Sequence, residues 1–132
     1  MKLLKTLSLF VLSISLFIAC SKNSDAPPAA EAMQGKWVGT YGFDNDAPTH
    51  FFSLNIKPGG VIQELNNSGI AKGAGTWTLQ GNAIKGNYKM LFAPFNEYSV
   101  SVSLDANGQM TGTWGFDKDP ADGGKVLMSK SN

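Results

Sequence analysis

The chain has 132 residues, a net charge of +1 and a mean hydropathy of −0.10. Lysines and acids nearly balance and there is no arginine, so no basic patch exists to grip a phosphate backbone, and nucleic acid is excluded as a partner. A single cysteine rules out an internal disulfide, and one cysteine with one histidine cannot build a Cys/His metal site.

Residues 1–19 read as a signal peptide. Lys2 and Lys5 form a positive start, and an uncharged, largely apolar run extends from Thr6 to Ala19. That run is shorter than the roughly 20 apolar residues a spanning helix needs, and it suits a secretory segment. It ends in Leu16-Phe17-Ile18-Ala19-Cys20. A small residue directly before the lone cysteine resembles the lipobox of bacterial lipoproteins, including those of Bacteroidota, with Phe17 where that family prefers Leu. The resemblance implies cleavage before Cys20, acylation of Cys20 and anchoring to a membrane. Two or three acyl chains hold a protein stably, since each buried CH₂ contributes about 0.8 kcal/mol. Ser21 after the cysteine implies outer-membrane sorting by the same resemblance. Residues 20–33, beginning at Cys20 and rich in Pro, Ala and polar groups, read as an extended, disordered tether. Only Asp25 and Glu31 stand where surface-exported relatives carry an acidic run, so the face of the membrane stays open.

Residues 34–132 read as one all-β domain. Apolar residues alternate through eight short segments, at about 36–43, 49–57, 60–66, 73–80, 82–90, 96–104, 109–116 and 123–130. In "EYSVSVSL" the residues Tyr98, Val100, Val102 and Leu104 share one face, and three serines share the other. The connections alternate as well. "KPGG", "QGN" and "DANG" are tight turns, whereas "DNDAP", "NNSGIAK", "LFAPFN" and "DKDPAD" are looser. In a meander, successive turns fall at opposite ends, which predicts a small eight-stranded antiparallel up-and-down barrel with a floor and a mouth. Trp37, Tyr41, Phe43, Trp77, Trp114 and Phe116 fall on the inward face, interleaved with Gly39, Gly75, Gly86 and Gly112. Glycine beside a large ring lets strands coil tightly.

Gly35-Lys36-Trp37 at the start of the first strand resembles the G-x-W signature of the calycins, the group of lipocalins, fatty-acid-binding proteins and avidins. The resemblance implies a barrel whose floor is closed by Trp37, with Trp77 and Trp114 as further core tryptophans. The arginine that packs on the floor tryptophan in those families is missing here, which leaves Lys125 or Lys130 to replace it.

One phrase is written twice: "VGTYGFDNDA" at 38–47 and "TGTWGFDKDP" at 111–120. Both copies lie on strands of the same direction, so both aspartate-bearing tails fall at the mouth. Asp44, Asp46, Asp117, Asp119 and Asp122 read first as turn-formers, and second as oxygen ligands for Ca²⁺. Catalysis finds no machinery. His50 is a lone rim histidine, no serine or cysteine sits in a nucleophile turn, and nothing selects a carboxylate pair. The expectation is therefore a non-enzymatic envelope lipoprotein without a cofactor. Tyr41, Phe43, Phe92, Phe95 and Phe116 are its candidate mouth residues for a small apolar or aromatic ligand. The alternative is a filled barrel that serves as an interaction, inhibitor or accessory module for an envelope protein.

Overall fold

Alternation and turn chemistry resolve into eight strands in the computed structural model, which describes residues 28–132. The signal segment, Cys20 and residues 20–27 lie outside the described residues. The strands are β1 Gly35–Tyr41, β2 His50–Lys57, β3 Val61–Leu65, β4 Ala71–Gln80, β5 Ala83–Met90, β6 Glu97–Leu104, β7 Met110–Phe116 and β8 Gly124–Lys130. Each pairs antiparallel with the next, and β8 returns to β1 to close the barrel. Closure removes the free edges that an open meander would expose.

The tight turns gather at one end. Gly59, Gly60, Gly81 and Gly108 all take positive φ there. The turn after β6 is capped by Asp105, whose Oδ1 accepts hydrogen bonds from the backbone N–H groups of Asn107 and Gln109 at 2.8 and 3.0 Å. Segments 42–49, 66–70, 91–96 and 117–123 form the opposite end, the mouth.

At the floor the chain departs from the expected tether. Residues Pro28–Met33 form a short helix, α1, with Ala30 and Met33 buried. Residues 28–33 are therefore helical inside the stretch read as disordered to residue 33. The physical reason is local. Ala30 and Met33 are one helical turn apart, and both fall on the face that meets the barrel. The Met33 carbonyl accepts a hydrogen bond from Trp37 Nε1 at 2.8 Å, and Trp37 is 1 % exposed. Lys130 Nζ lies 5.6 Å from the Trp37 ring centroid and donates to the Ala32 carbonyl at 3.4 Å. Lys130, not Lys125, thus covers the floor tryptophan. Trp77 also lies towards this end, half-buried, with its Nε1 donating to the Lys57 carbonyl at 2.9 Å.

The core fills the lower barrel with Met33, Trp37, Leu54, Ile56, Ile62, Ile84, Val100, Val102, Met110 and Met128. Three inward glycines make this narrow bore possible. A Cβ at Gly39, Gly75 or Gly112 would collide with the backbone carbonyl oxygen of Leu127, Asn87 or Ser101 on the adjacent strand. Two expected core residues are corrected. Phe43 and Phe116 are 43 % and 46 % exposed, because the strands have ended or reached the rim where the inward face runs out.

Candidate functional site

The doubled phrase builds the same turn twice. Asp44 and Asp117 both have φ of 51°. The Asp46 N–H donates to the Phe43 carbonyl at 2.9 Å, and the Asp119 N–H donates to the Phe116 carbonyl at 3.1 Å. Aspartate tolerates this left-handed backbone better than most side chains. Two of the carboxylates serve the loop between β7 and β8. Asp122 Oδ1 accepts from the Phe116 N–H at 2.7 Å, and Asp119 Oδ1 accepts from the Ala121 N–H at 2.9 Å. Among the described residues, no group of three or more acids, histidines or cysteines is arranged to hold a metal ion.

Trp114 ties the two turns together. It is a core residue, as expected, but it stands at the mouth and not at the floor. Its Nε1 donates to the Gly42 carbonyl at 2.8 Å, which joins β7 to the first copy of the phrase. Its ring packs edge-on against Tyr41, Phe43 and Phe116 at centroid distances of 5.3, 5.5 and 5.1 Å. Gly123 lies so close that a Cβ there would sit 2.7 Å from that ring. Gly123 also accepts from the Asp44 N–H at 2.8 Å. The second phrase thus supplies the tryptophan, and the first supplies its acceptor.

Above the filled core, the barrel leaves a mouth pocket of about 170 Å³. Its walls are Tyr41, Phe51, Phe52, Glu64, Lys72, Tyr88, Met90, Tyr98 and Trp114. Tyr98 sits 6.1 Å from both Tyr88 and Trp114, centroid to centroid, so the rings form a continuous wall. Glu64 is the buried acid among the described residues, at 7 % exposure. Its carboxylate pairs with Lys72 Nζ at 3.0 Å, and the lysine is a third exposed. Burial pushes the Tyr88 hydroxyl well above the ordinary tyrosine value of 10.0, aided by the nearby Glu64 carboxylate.

That shift sets a pH dependence. In the unfolded chain Tyr88 ionises near pH 10, whereas the folded protein keeps it neutral to higher pH. Above pH 10 the unfolded state therefore binds fewer protons, and stability falls as pH rises. The limiting slope for one group is about 1.4 kcal/mol per pH unit. Denaturation curves at pH 8, 10 and 11 should show the wild type losing more stability than Tyr88→Phe over that range. Parallel losses in the two proteins would contradict the burial of a neutral Tyr88.

Of the expected mouth residues, only Tyr41 lines this pocket. Phe95 and Phe116 border a separate rim hollow with Lys89, Glu97 and Asp117. Phe92 points outward beside Leu91, and both are more than half exposed. Residues 91–96 therefore form an exposed crown and not a lid packed into the opening. His50 stands on the rim, exposed, with its ring 5.1 Å from Tyr41. Sequence reasoning missed Glu64 and Lys72. Glu64 lies two residues after Ile62 on a short strand, hence on the same inward face, and that spacing was the available signal.

No protein-family model, curated protein or solved structure matches the chain.

Proposed function

We propose that this protein is a lipid-anchored envelope protein whose barrel holds a small, single-ring ligand at its mouth. The observation that carries this reading is the mouth pocket, an aromatic-walled space of about 170 Å³ above an otherwise filled core. Cavities of order 150 Å³ with apolar walls accept one benzene-sized ring, so the space suits one ring and not a long acyl chain. The Glu64–Lys72 pair, with its acid buried and its lysine a third exposed, gives it a polar wall with which to orient that ring. The role on this reading is binding, not catalysis.

An anchor at Cys20 would join the barrel at its floor, opposite the pocket. The described residues begin with α1 at the floor. With Cys20 acylated, residues 20–27 would reach roughly 25–30 Å at full extension. The membrane then lies on the floor side, most simply the outer membrane, and the mouth faces away from it. The G-x-W start and the Lys130-covered Trp37 are compatible with a calycin-like origin.

The rim favours a second reading. Ile70, Leu91, Phe92 and Phe95 are exposed by 64, 57, 54 and 59 %, next to the exposed rings of Phe43 and Phe116. Apolar crowns of this kind mark contact surfaces. An envelope protein seated on the mouth would cover them and close the pocket.

Two measurements test the proposal together. Cys20→Ser should move the protein from the membrane fraction to the soluble one. A panel of single-ring compounds should shift the NMR resonances of Tyr41, Tyr88 and Trp114 and leave those of Trp37 in place. A membrane-bound serine variant would sink the anchor, and a panel without any shift at the mouth would sink the pocket.

A further inference from the structure

We infer that the mouth pocket selects a ring compound bearing an ammonium group, which Glu64 receives in place of Lys72. The inference rests on the reading of this pocket as a ligand site, and it adds the ligand's chemical class.

The argument starts from the sign of the walls. Tyr41, Phe52, Tyr88, Tyr98 and Trp114 present aromatic rings, whose faces carry partial negative charge and attract cations. Glu64 is an ionised acceptor with two oxygens and about four lone-pair positions. Lys72 Nζ meets Oε1 at 3.0 Å. Acceptor capacity therefore remains on Glu64. The one positive group in the wall, Lys72, comes from the outer end of β4 and keeps a third of its side chain in water.

This asymmetry decides which member of the pair is fixed. Glu64 is held by burial on β3, with Leu65 beside it also out of solvent. Lys72 sits on a flexible stem with solvent beside it. It can swing outward at little cost, because its ammonium regains full hydration there. The carboxylate cannot follow. A buried carboxylate without a cation is costly, so the pocket demands a positive partner whenever Lys72 leaves. A ligand ammonium on a single ring meets both requirements, with the charge on Glu64 and the ring among the tyrosines and Trp114. Lys72 is then the resident stand-in for the ligand's cation.

The test compares three compounds of one shape and three charges: benzylammonium, benzyl alcohol and benzoate. Each is titrated by NMR into the full-length protein in phosphatidylcholine nanodiscs at pH 7. The expected result is that benzylammonium binds at least about tenfold more tightly than benzyl alcohol, with benzoate weakest. Glu64→Gln should reduce that preference to about twofold or less. Wild-type selectivity stands as evidence even if this variant fails to fold. Equal binding of amine and alcohol would overturn the inference and leave the pocket as a ligand site. Tightest binding of benzoate would overturn it by making Lys72 the anchor. If none of the three shifts the mouth resonances, both the inference and the pocket reading fall.

Discussion

Replacing Gly75 with alanine should cost the barrel about 3 kcal/mol, enough to unfold a marginal domain at moderate temperature. Propensity alone predicts the opposite sign, because alanine in a strand is better than glycine by roughly 0.5–1 kcal/mol. Sterics win because of where the new atom would go. It would collide with the Asn87 carbonyl oxygen and lie 2.6 Å from Tyr88 Cα. Both obstacles are backbone of β5, which pairs with β4 here through Gly75 and Tyr88. No rotamer change relieves such a contact, so the two strands would have to separate. Gly73→Ala is the matched control, two residues away on the same strand. Its nearest atoms are side-chain atoms, Tyr88 Cδ2 at 3.0 Å and Met90 Sδ at 3.2 Å, which can move. Its loss should stay below about 1 kcal/mol. Urea denaturation of both variants checks the pair. A Gly75→Ala protein as stable as the wild type would show that the strands do not approach so closely.

The barrel was legible because two independent signals agreed. Residues such as Tyr98, Val100 and Val102 alternate with serines over the whole of β6, and tight and loose connections alternate along the chain. Strand limits followed to within a residue or two. Where a signal was short, it failed. The helix Pro28–Met33 is less than two turns long, and its Pro-Ala composition looks like a linker. Only contact with the barrel, through Met33 and the Trp37 indole, makes it worth forming.

The pocket was half legible for a related reason. Its rings lie on strands with clear alternation, and Tyr41, Tyr98 and Trp114 all fell on the inward face. Its charge lies on β3, the shortest strand, where Glu64 and Leu65 are buried one after the other across the register shift. Consecutive burial breaks the period of two, and a glutamate reads as solvent-facing on frequency alone. The rim phenylalanines erred in the other direction. Alternation carried them inward on paper, but Phe43 lies beyond β1 and Phe116 ends β7, at a height where no wall remains to cover them. The doubled phrase was legible as turn chemistry, since both aspartates take the left-handed backbone that its position requires. That Trp114 in one copy donates to Gly42 in the other was not, because 72 residues separate the partners.

Trp114 and Trp37 form a pair of experiments that separates fold from site. Both are buried, at 7 and 1 % exposure, and both give their indole N–H to a backbone carbonyl at 2.8 Å. One stands at the mouth and the other at the floor. Truncation to alanine should cost either position about 3–5 kcal/mol, from lost burial plus the cavity left behind. The two losses should therefore resemble each other in denaturation experiments, and neither variant would be informative by stability alone. Their effects on the pocket should differ. Trp114→Ala removes one wall, frees the Gly42 carbonyl and unties the loops at 42–49 and 117–123, so single-ring ligands should bind at least about tenfold more weakly. Trp37→Ala opens a hole at the opposite end, beneath the filled core, and binding should change by less than about twofold in conditions where the variant is folded. Trp114→Phe sharpens the contrast. It keeps a ring in the wall but leaves the Gly42 carbonyl without its donor, which costs about 1–3 kcal/mol for a buried acceptor. Its stability should fall while much of the binding survives. Equal losses of binding in Trp37→Ala and Trp114→Ala would mean that ligands sense the stability of the barrel as a whole, and the mouth would lose its claim to be the site.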